Sequence, residues 1–413
     1  MVEFFHGNRS HLFGKIKSNS MVLLSSGQLR HRTADQSYPY QVNKNFYYLT
    51  GIRQANITLA MVKIGEECEN FLFLDEYDSH YEKWIGKRIT KDEASLISGI
   101  PVNQIFFQKE YEAWEKNLLD SQAIHHCYLD LEKPNFMFYS SFGQETYRRI
   151  QALAQSMELL DVYPLIVAQR MIKQQYELDL IQESIKDTQL GVEALLRNAK
   201  PGMFEYELEA YYDYVVKSKG KTTSFTTIAA SGKNAVTLHY EVNNQKTSDG
   251  DLILFDLGVS TLEYASDITR TFPVNGKFSD RQKILYEIVL QANKETIAMI
   301  RPGYTLRQVN EFTKRFLAKA CLSIGLITEE AQIDQYYYHG VSHSLGLDTH
   351  DPFLPDTVLA PGMVVTCEPG LYVAEESIGI RIEDDVLVTS NGSINLSSDI
   401  AKEIEDIELL MHK

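Results

Sequence analysis

Two acidic residues stand at corresponding places in two similar segments and are the first candidates for chemistry. Asp256 lies in 250-GDLILFDLG-258 and Glu368 lies in 362-GMVVTCEPG-370, each at the seventh position of its segment after a glycine and a mostly apolar run. A short, unbroken apolar run is typical of a covered strand. A carboxylate at the end of such a strand needs a partner, because an unpaired charge in a low dielectric is costly or becomes protonated.

Each of these acids is followed by a second one. Asp267 lies in 266-SDITRTF-272 and Glu383 lies in 380-IRIEDDVL-387, both after a glycine-containing turn. The two predicted hairpins therefore offer four carboxylates, which repel one another at short range unless cations lie between them. An acid at a strand end is also a common turn residue, so the first hairpin alone does not decide between a metal site and an ordinary turn.

A cluster of histidines lies between the two acidic hairpins in sequence. The segment 336-YYYHGVSHSLGLDTHD-351 holds three of the chain's eleven histidines, His339, His343 and His350. The glycines within it predict a loop and strand rather than the zinc-binding helix of an HExxH motif. Three histidines in such a place favour a metal or catalytic role over a purely structural one.

The elements that must position these residues form a repeat. The segments 200–220 and 301–325 both open with a basic residue and Pro-Gly, continue with helical apolar spacing and close at a glycine. A glycine is the expected end of a helix. A helix followed by a hairpin, twice over, predicts a domain of two related halves, in which a pseudo-twofold axis brings the acidic hairpins face to face.

The composition excludes several classes of protein. The chain has 413 residues, which favours two domains, and its formal net charge of −16 with no basic cluster argues against a nucleic-acid partner. No apolar run approaches the roughly 20 residues that cross a membrane. The N-terminus has no apolar core of the signal-peptide type, so we expect a cytoplasmic protein. The four cysteines lack metal-binding spacing, and Cys367 is expected to be a buried apolar residue.

Residues 1–165 alternate short strand-like and helix-like stretches, which predicts an α/β domain followed by a second domain, 166–413. The junction is predicted to be one long amphipathic helix from about Val167 to Pro201. Aromatic Tyr47, Tyr48 and Trp84 are expected in the core of the first domain. The strands are predicted at Met21–Leu24, Phe46–Leu49, Ile57–Val62, Asn70–Leu74 and His126–Leu131, and the helices at Thr90–Ile97 and Gln144–Met157.

The set Asp256, Asp267, His343, Glu368 and Glu383 resembles the ligand set of the pita-bread metallopeptidases, and within them that of the Xaa-Pro aminopeptidases (aminopeptidase P) and prolidases. The resemblance covers the whole chain, including 39-PYQVNKNFYYLTG-51 and 84-WIGKR-88 in the first domain. It implies an α/β (α+β) fold class, with an N-terminal creatinase-like α/β domain that shapes access and helps to build an oligomer. A pita-bread domain of two related helix-plus-hairpin halves follows.

The resemblance also implies two divalent metal ions. Asp256 would hold one ion, His343 and Glu368 the other, and Asp267 and Glu383 would bridge both. A set of four carboxylates and one imidazole suits Mn2+ first, with Co2+, Zn2+ or Fe2+ as alternatives. Two such ions roughly 3.5 Å apart share a hydroxide and polarise a scissile carbonyl.

Roles for the remaining residues follow from the same resemblance. Glu368 would take a proton from the attacking water, and His239, His339 and His350 would contact the peptide. A proline nitrogen carries no N–H before cleavage and leaves poorly unless it is protonated; the sequence leaves open which histidine protonates it. Two residues are expected beside the ligands, namely Tyr372 and Arg381, and strand alternation places Arg381 on the same side as Glu383, where it would orient a carboxylate ligand and hold it ionised.

The chain departs from the family pattern at Ser344, where tryptophan is common, at Cys367, where valine is common, and in 351-DPFLPD-356. These positions put the substrate preference in doubt rather than hydrolysis. The expected activity is release of the N-terminal residue from peptides with proline second. The alternatives are a prolidase, which is limited to Xaa-Pro dipeptides, and a pita-bread binding module without catalysis. A homodimer or homotetramer is expected, with peptides as substrates and no nucleic-acid or membrane partner.

Overall fold

The chain folds into two compact units, Met1–Arg170 and Met171–Lys413. The computed structural model describes residues 1–76, 78–80, 82–132, 141–354 and 356–412. The junction predicted at 165/166 falls inside the last helix of the first unit. None of the helices in these ranges combines the length and the apolar character that a membrane span requires.

The first unit is built on a mixed sheet. Six of its described strands are ordered β6-β5-β4-β1-β7-β8, with β4 antiparallel to β1 and β5, and β7 parallel to β1 and β8. Strands β2 and β3 form a separate, exposed hairpin. The strands are β1 Ser20–Ser25, β2 His31–Thr33, β3 Gln36–Ser37, β4 Thr58–Ile64, β5 Glu67–Leu74, β6 Ile105–Phe107, β7 His126–Leu129 and β8 Glu158–Asp161.

Helices accompany this sheet, and apolar side chains such as Met21, Leu23 and Phe73 form its core. The prediction that Tyr47 and Tyr48 lie in the core is confirmed, whereas that for Trp84 is wrong, since Trp84 is 78% exposed on a one-turn helix. The helices are α1 Val2–Phe13, α2 Lys44–Thr50, α3 Glu82–Ile85, α4 Lys91–Ser98, α5 Gln108–Asp120, α6 Phe142–Leu153 and α7 Tyr163–Arg170.

The strand predicted at Phe46–Leu49 is wrong, because these residues belong to helix α2. The side chain of Asn43 caps this helix by accepting a hydrogen bond from the Phe46 N–H, at 2.8 Å. Gly51 ends it in the left-handed conformation, with φ of 72°. Residues 45–50 are all buried, so the helix has no polar face from which a helical period could be read.

The second unit repeats one pattern of helices. Two helices precede each acidic hairpin, and the helices predicted after each Pro-Gly are confirmed. Gly202 and Gly303 have φ of 87° and 91°, and their N–H groups donate to the carbonyls of Thr247 and Leu359. The helices are α8 Gln175–Asn198, α9 Glu205–Ser218, α10 Asp280–Met299, α11 Leu306–Ser323 and α12 Ile404–Met411.

The prediction of one continuous helix across the junction is wrong. The chain leaves the helical conformation after Arg170 and re-enters it at Gln175. Between them, the Lys173 N–H donates to the carbonyl of Gly362, at 2.8 Å. A backbone N–H committed to a distant carbonyl cannot also bond within a helix.

The strands of the second unit form two corresponding antiparallel sheets. In the first, β11 lies between β10 and β14; in the second, β18 lies between β15 and β19. The connection between the two long strands of each hairpin contains a pair of short antiparallel strands. These are β12 and β13 between β11 and β14, and β16 and β17 between β15 and β18. The strands are β9 Thr222–Thr223, β10 Ile228–Ser231, β11 Leu252–Leu257, β12 Val259–Thr261, β13 Tyr264–Ala265, β14 Ile268–Pro273, β15 Val364–Cys367, β16 Gly370–Val373, β17 Ile378–Arg381, β18 Asp384–Thr389 and β19 Gly392–Asn395.

Candidate metal centre

The four predicted carboxylates lie at strand ends of the two sheets. Asp256 is near the end of β11, opposite Thr269 of β14, and Asp267 immediately precedes β14. Glu368 follows the last residue of β15, and Glu383 immediately precedes β18. The Glu383 N–H donates to the carbonyl of Thr269, at 3.0 Å, so a backbone hydrogen bond joins the two hairpins beside the acids.

His343 lies among these acids. Its Nε2 atom is 3.4 Å from Asp267 Oδ2, 3.6 Å from Glu368 Oε1 and 4.0 Å from Glu383 Oε1. Asp267, His343 and Glu383 each offer a ligand atom within 4.8 Å of the other two. The structure therefore brings together residues that stand far apart in the sequence, in an arrangement that could hold a metal ion.

Burial and mutual repulsion raise the pKa values of these acids. Burial, followed by the charge of Glu383, holds the pKa of Asp267 well above its usual range, and the same two causes act on Glu368. Burial, followed by the charge of Asp256, raises the pKa of Glu383 to about 7. Carboxylates held so close in a buried place either bind protons or need cations between them.

A buried arginine contacts the set. Arg381 was expected on the side of Glu383, where it would orient a carboxylate ligand, and its Nη2 donates to Asp256 Oδ2 at 2.6 Å. It reaches Glu383 indirectly, because Thr269 Oγ1 accepts a hydrogen bond from Arg381 Nε and donates one to Glu383 Oε2. Arg381 Nη1 also donates to the hydroxyl of Tyr372, at 3.1 Å.

Two further buried acids, Asp384 and Asp385, directly follow Glu383 and were not predicted to belong to the site. Asp384 Oδ1 accepts a hydrogen bond from Arg270 Nη2 at 2.8 Å, and Lys402 forms a second ion pair with Asp384. The cations Arg270 and Lys402 lower the pKa of the buried Asp384 to about 2. Asp385 Oδ2 accepts a hydrogen bond from the backbone N–H of Asp267. The run of three acids in IRIEDDVL was the available signal, because an apolar strand rarely carries unpaired charges.

Two of the three other predicted histidines, His339 and His350, lie beside the acids or beside His343. His339 Nδ1 is 3.6 Å from Glu368 Oε2, and its Nε2 is 2.8 Å from the Tyr372 hydroxyl. The ring of His350 stacks on that of His343, with centroids 3.9 Å apart. Burial lowers the pKa of both His339 and His350 to about 4. His239 is exposed in the loop that follows β10.

A buried ion pair holds the loop that carries His343 and His350. Lys173 Nζ is 3.0 Å from Asp351 Oδ2, and the two side chains are 1% and 0% exposed. The Asp351 N–H donates to the carbonyl of Ser344, which closes the loop on itself. Of the family departures, Ser344 and Cys367 are buried, which confirms the prediction for Cys367, while Pro355 in 351–356 lies outside the described residues.

The residues present fit divalent metal ions. Asp256 Oδ1 is buried and accepts no hydrogen bond from the part of the chain that the structure describes. Buried carboxylate oxygens in native proteins are normally paired, so an atom of this kind marks a place for a cation. Four carboxylates and one imidazole provide oxygen and nitrogen donors for such ions, and the histidines beside them provide groups that can bind a substrate or move a proton.

Two family descriptions match the chain. Residues 179–390 match metallopeptidase family M24, and residues 5–125 match the aminopeptidase P N-terminal domain. The first match falls within the unit that holds the acids and histidines, and the second falls within the unit built on the mixed sheet.

Curated relatives match over nearly the full length. The Xaa-Pro aminopeptidase of Haemophilus influenzae is 33% identical over 431 residues, covering 99% of this chain and 97% of that protein. The Xaa-Pro aminopeptidase of Escherichia coli is 31% identical, covering 98% of this chain and 97% of that protein.

Solved structures share the fold. A Bacillus anthracis protein described as an aminopeptidase P matches with a TM-score of 0.97 and 44% identity, covering 100% of this chain and 98% of that chain. Zinc-substituted E. coli aminopeptidase P in complex with product matches with a TM-score of 0.92 and 29% identity, with the same coverage. The chain thus belongs to metallopeptidase family M24, and its N-terminal domain places it among the aminopeptidase P proteins of that family.

Proposed function

We propose that this protein is a metal-dependent Xaa-Pro aminopeptidase, which releases the N-terminal residue from peptides with proline in the second position. The observation that carries the proposal is the close approach of His343 and Glu368 to the buried acids Asp267 and Glu383, with further histidines beside them. Relatives named Xaa-Pro aminopeptidase match this chain along almost its whole length.

The proposed ligands of the two ions are those that the sequence suggested. Asp256, Asp267, His343, Glu368 and Glu383 would hold the two ions between the hairpins. The buried Asp256 Oδ1 and the raised pKa values of the other acids support this assignment. When bound, the ions supply Lewis acidity toward the scissile carbonyl and lower the pKa of a bound water. We propose Mn2+ as the native metal, with Co2+, Zn2+ or Fe2+ as alternatives, because the set is rich in oxygen.

Glu368 is the proposed general base. Its carboxylate lies between two histidines, with Oε1 3.6 Å from His343 Nε2 and Oε2 3.6 Å from His339 Nδ1. As an ionised carboxylate beside the bound water, Glu368 would be placed to accept a proton from that water during attack. The same carboxylic acid can then give that proton to the departing proline nitrogen, which otherwise leaves poorly.

The histidines are proposed to bind the peptide. With pKa values of about 4, His339 and His350 are neutral near neutral pH and act as hydrogen-bond partners rather than as stored acids. His239 is exposed in the loop that follows β10 and is proposed to hydrogen-bond the peptide at the reacting bond. Tyr372 and Arg381 complete the wall of the site, because the Tyr372 hydroxyl contacts both His339 and Arg381.

The deciding experiment compares three substrates with the manganese-loaded protein: an Xaa-Pro dipeptide, a tetrapeptide that begins Xaa-Pro, and a matched tetrapeptide without proline. Cleavage of the Xaa-Pro tetrapeptide between its first two residues is the expected result. Cleavage of the dipeptide alone would make the protein a prolidase. If none of the three substrates is cleaved at saturating metal, the protein is a binding module without catalysis.

We further propose that the protein acts in the cytoplasm as a homodimer or homotetramer. All four cysteines are free thiols, as expected in a reducing compartment. Neither nucleic acid nor a membrane surface is proposed as a partner, since the net charge is −16. Sedimentation equilibrium measures the assembly; a monomer at every accessible concentration would contradict it.

A further inference from the structure

A buried glutamate at the start of helix α9 has no part in the metal centre. Glu205 is 0% exposed, although glutamate is seldom fully buried unless it is paired. Its Oε1 atom accepts hydrogen bonds from the Ser231 N–H and hydroxyl, both at 2.7 Å, and from Asn234 Nδ2, at 3.2 Å. Its Oε2 atom accepts from the Tyr240 hydroxyl, at 2.9 Å, and from the Gln245 N–H, at 2.8 Å.

All five donors belong to one segment, residues 231–245, which we name the His239 loop. It leaves the end of β10 at Ser231, passes through a 3₁₀ turn, Gly232–Val236, and returns at Gln245. The Glu205 N–H also donates to the carbonyl of Gln245, at 3.0 Å. One residue of α9 therefore fixes the departing end, the middle and the returning end of this loop.

His239 and Val242 are exposed in the His239 loop, and Val242 is 65% so. A second anchor lies beside them, because the buried Asn243 donates to Glu209 Oε2 and to the carbonyl of Thr227 and accepts from the Ala229 N–H. The other side of the loop is tied to the histidine segment, because the Tyr338 hydroxyl donates to the carbonyl of Val236. Glu205 joins both ends of the loop, so the position of His239 depends on its hydrogen bonds as well as on these anchors.

We propose that Glu205 is a positioning residue for His239, whose ring it holds beside the reacting peptide bond by fixing both ends of the His239 loop. This inference rests on the proposed peptidase function, in which His239 contacts the substrate. Glu205 acts through the loop and touches neither the acids of the metal centre nor the peptide.

Substitution of Glu205 by glutamine tests whether Glu205 acts as a hydrogen-bond acceptor or only occupies volume in the core. Glutamine has nearly the same shape but replaces one acceptor oxygen with an NH2 donor. The Ser231 hydroxyl and the Tyr240 hydroxyl can reverse their hydrogen bonds, whereas the backbone N–H groups of Ser231 and Gln245 cannot. Whichever way the amide turns, one end of the loop then faces a donor and is released.

The experiment uses four forms of the full-length, manganese-loaded protein besides the wild type: Glu205→Gln, His239→Ala, the double variant, and the control Glu207→Gln. Glu207 lies on the same helix and is exposed, and its Oε2 accepts from the Phe204 N–H, a role that glutamine also fills. The measurements are kcat and KM for an Xaa-Pro tetrapeptide, manganese affinity by calorimetry, and hydrogen exchange of residues 232–245.

We expect Glu205→Gln to lower kcat/KM on the order of tenfold to a hundredfold. Hydrogen exchange in the His239 loop should rise, while manganese affinity and the Glu207→Gln control stay at wild-type values. The double variant should be no slower than His239→Ala alone, because the loss caused by glutamine acts through that histidine.

Two results would overturn the proposal: a double variant whose losses are the product of the two single losses, or unchanged exchange in residues 232–245 of Glu205→Gln. If Glu205→Gln does not fold, Tyr240→Phe removes one of the five donors and must give a smaller change in the same direction. If the wild type cleaves no Xaa-Pro peptide, the proposed function fails, and hydrogen exchange still decides whether Glu205 holds the loop.

Discussion

At the scale of single residues, Glu368 combines a proposed ligand with the proposed base. Glu368→Gln keeps the shape and removes the charge and the proton acceptor, so we expect kcat to fall by about 10²–10⁴-fold. Steady-state kinetics with an Xaa-Pro tetrapeptide, together with metal content by mass spectrometry, measures this. Glu207→Gln is the matched control. Activity near the wild-type value with metal bound would rule out Glu368 as the base.

The raised pKa of Glu383 predicts how metal-free protein responds to pH. The folded pKa of about 7 exceeds the ordinary value of 4.5, so between these values the folded state binds more protons than the unfolded state. The free energy of unfolding should therefore fall as pH rises through this window. Because an ion must displace those protons, metal affinity should rise over the same range.

Urea denaturation of metal-free protein across this window measures the stability, and calorimetry measures the affinity. Since other groups titrate as well, the comparison is with Glu383→Gln, which removes this titration. The wild type should lose more stability than the variant as pH rises. Equal slopes for both proteins would contradict the role assigned to Glu383.

The acids and histidines of the candidate site could be identified from the sequence, because strand ends, glycines and an internal repeat are visible in local patterns. The sequence did not predict their partners. Strand alternation placed Arg381 on the side of Glu383 without naming the carboxylate that it contacts, and its guanidinium pairs with Asp256, on a strand 125 residues away. The pairing of Asp384 with Arg270 spans 114 residues. Such contacts depend on how the two hairpins face each other, which no local pattern encodes.

At the scale of elements, the Lys173–Asp351 pair joins the segment before α8 to the loop that carries His343 and His350. Lys173→Met removes the cation from a buried carboxylate, so we expect the free energy of unfolding to fall by about 3–5 kcal/mol. Urea denaturation of the metal-free protein measures the loss. Adding Asp351→Leu should restore part of it, since removing both charges costs less than removing only one. An unchanged unfolding midpoint in Lys173→Met would refute this.

The elements that sequence reasoning missed have a common cause. Helix α2 was predicted as a strand because its aromatic residues favour strands and its burial on all sides hides the helical period. The break between α7 and α8 was missed because it depends on the hydrogen bond from Lys173 to Gly362, a distant residue. In both places tertiary contacts override a local preference.

At the scale of the whole molecule, the metal centre lies entirely in the second unit. Loading with Mn2+ should therefore slow hydrogen exchange in β11, β14, β15 and β18, because a ligand suppresses the openings that would release it. Exchange in β4 and β5 of the first unit should stay unchanged. Mass spectrometry of peptides from both units tests this, and slowing confined to the first unit would exclude the proposed site.

The repeat in the second unit has a consequence beyond catalysis. The first half supplies Asp256 and Asp267 and the second supplies His343, Glu368 and Glu383, so an ion held by this set would be a removable cross-link between two distant segments of the chain. Closing so long a loop lowers the entropy of the unfolded chain, as a disulfide does. Loss of the metal in a cell would then make the protein more susceptible to proteolysis, in addition to abolishing its activity.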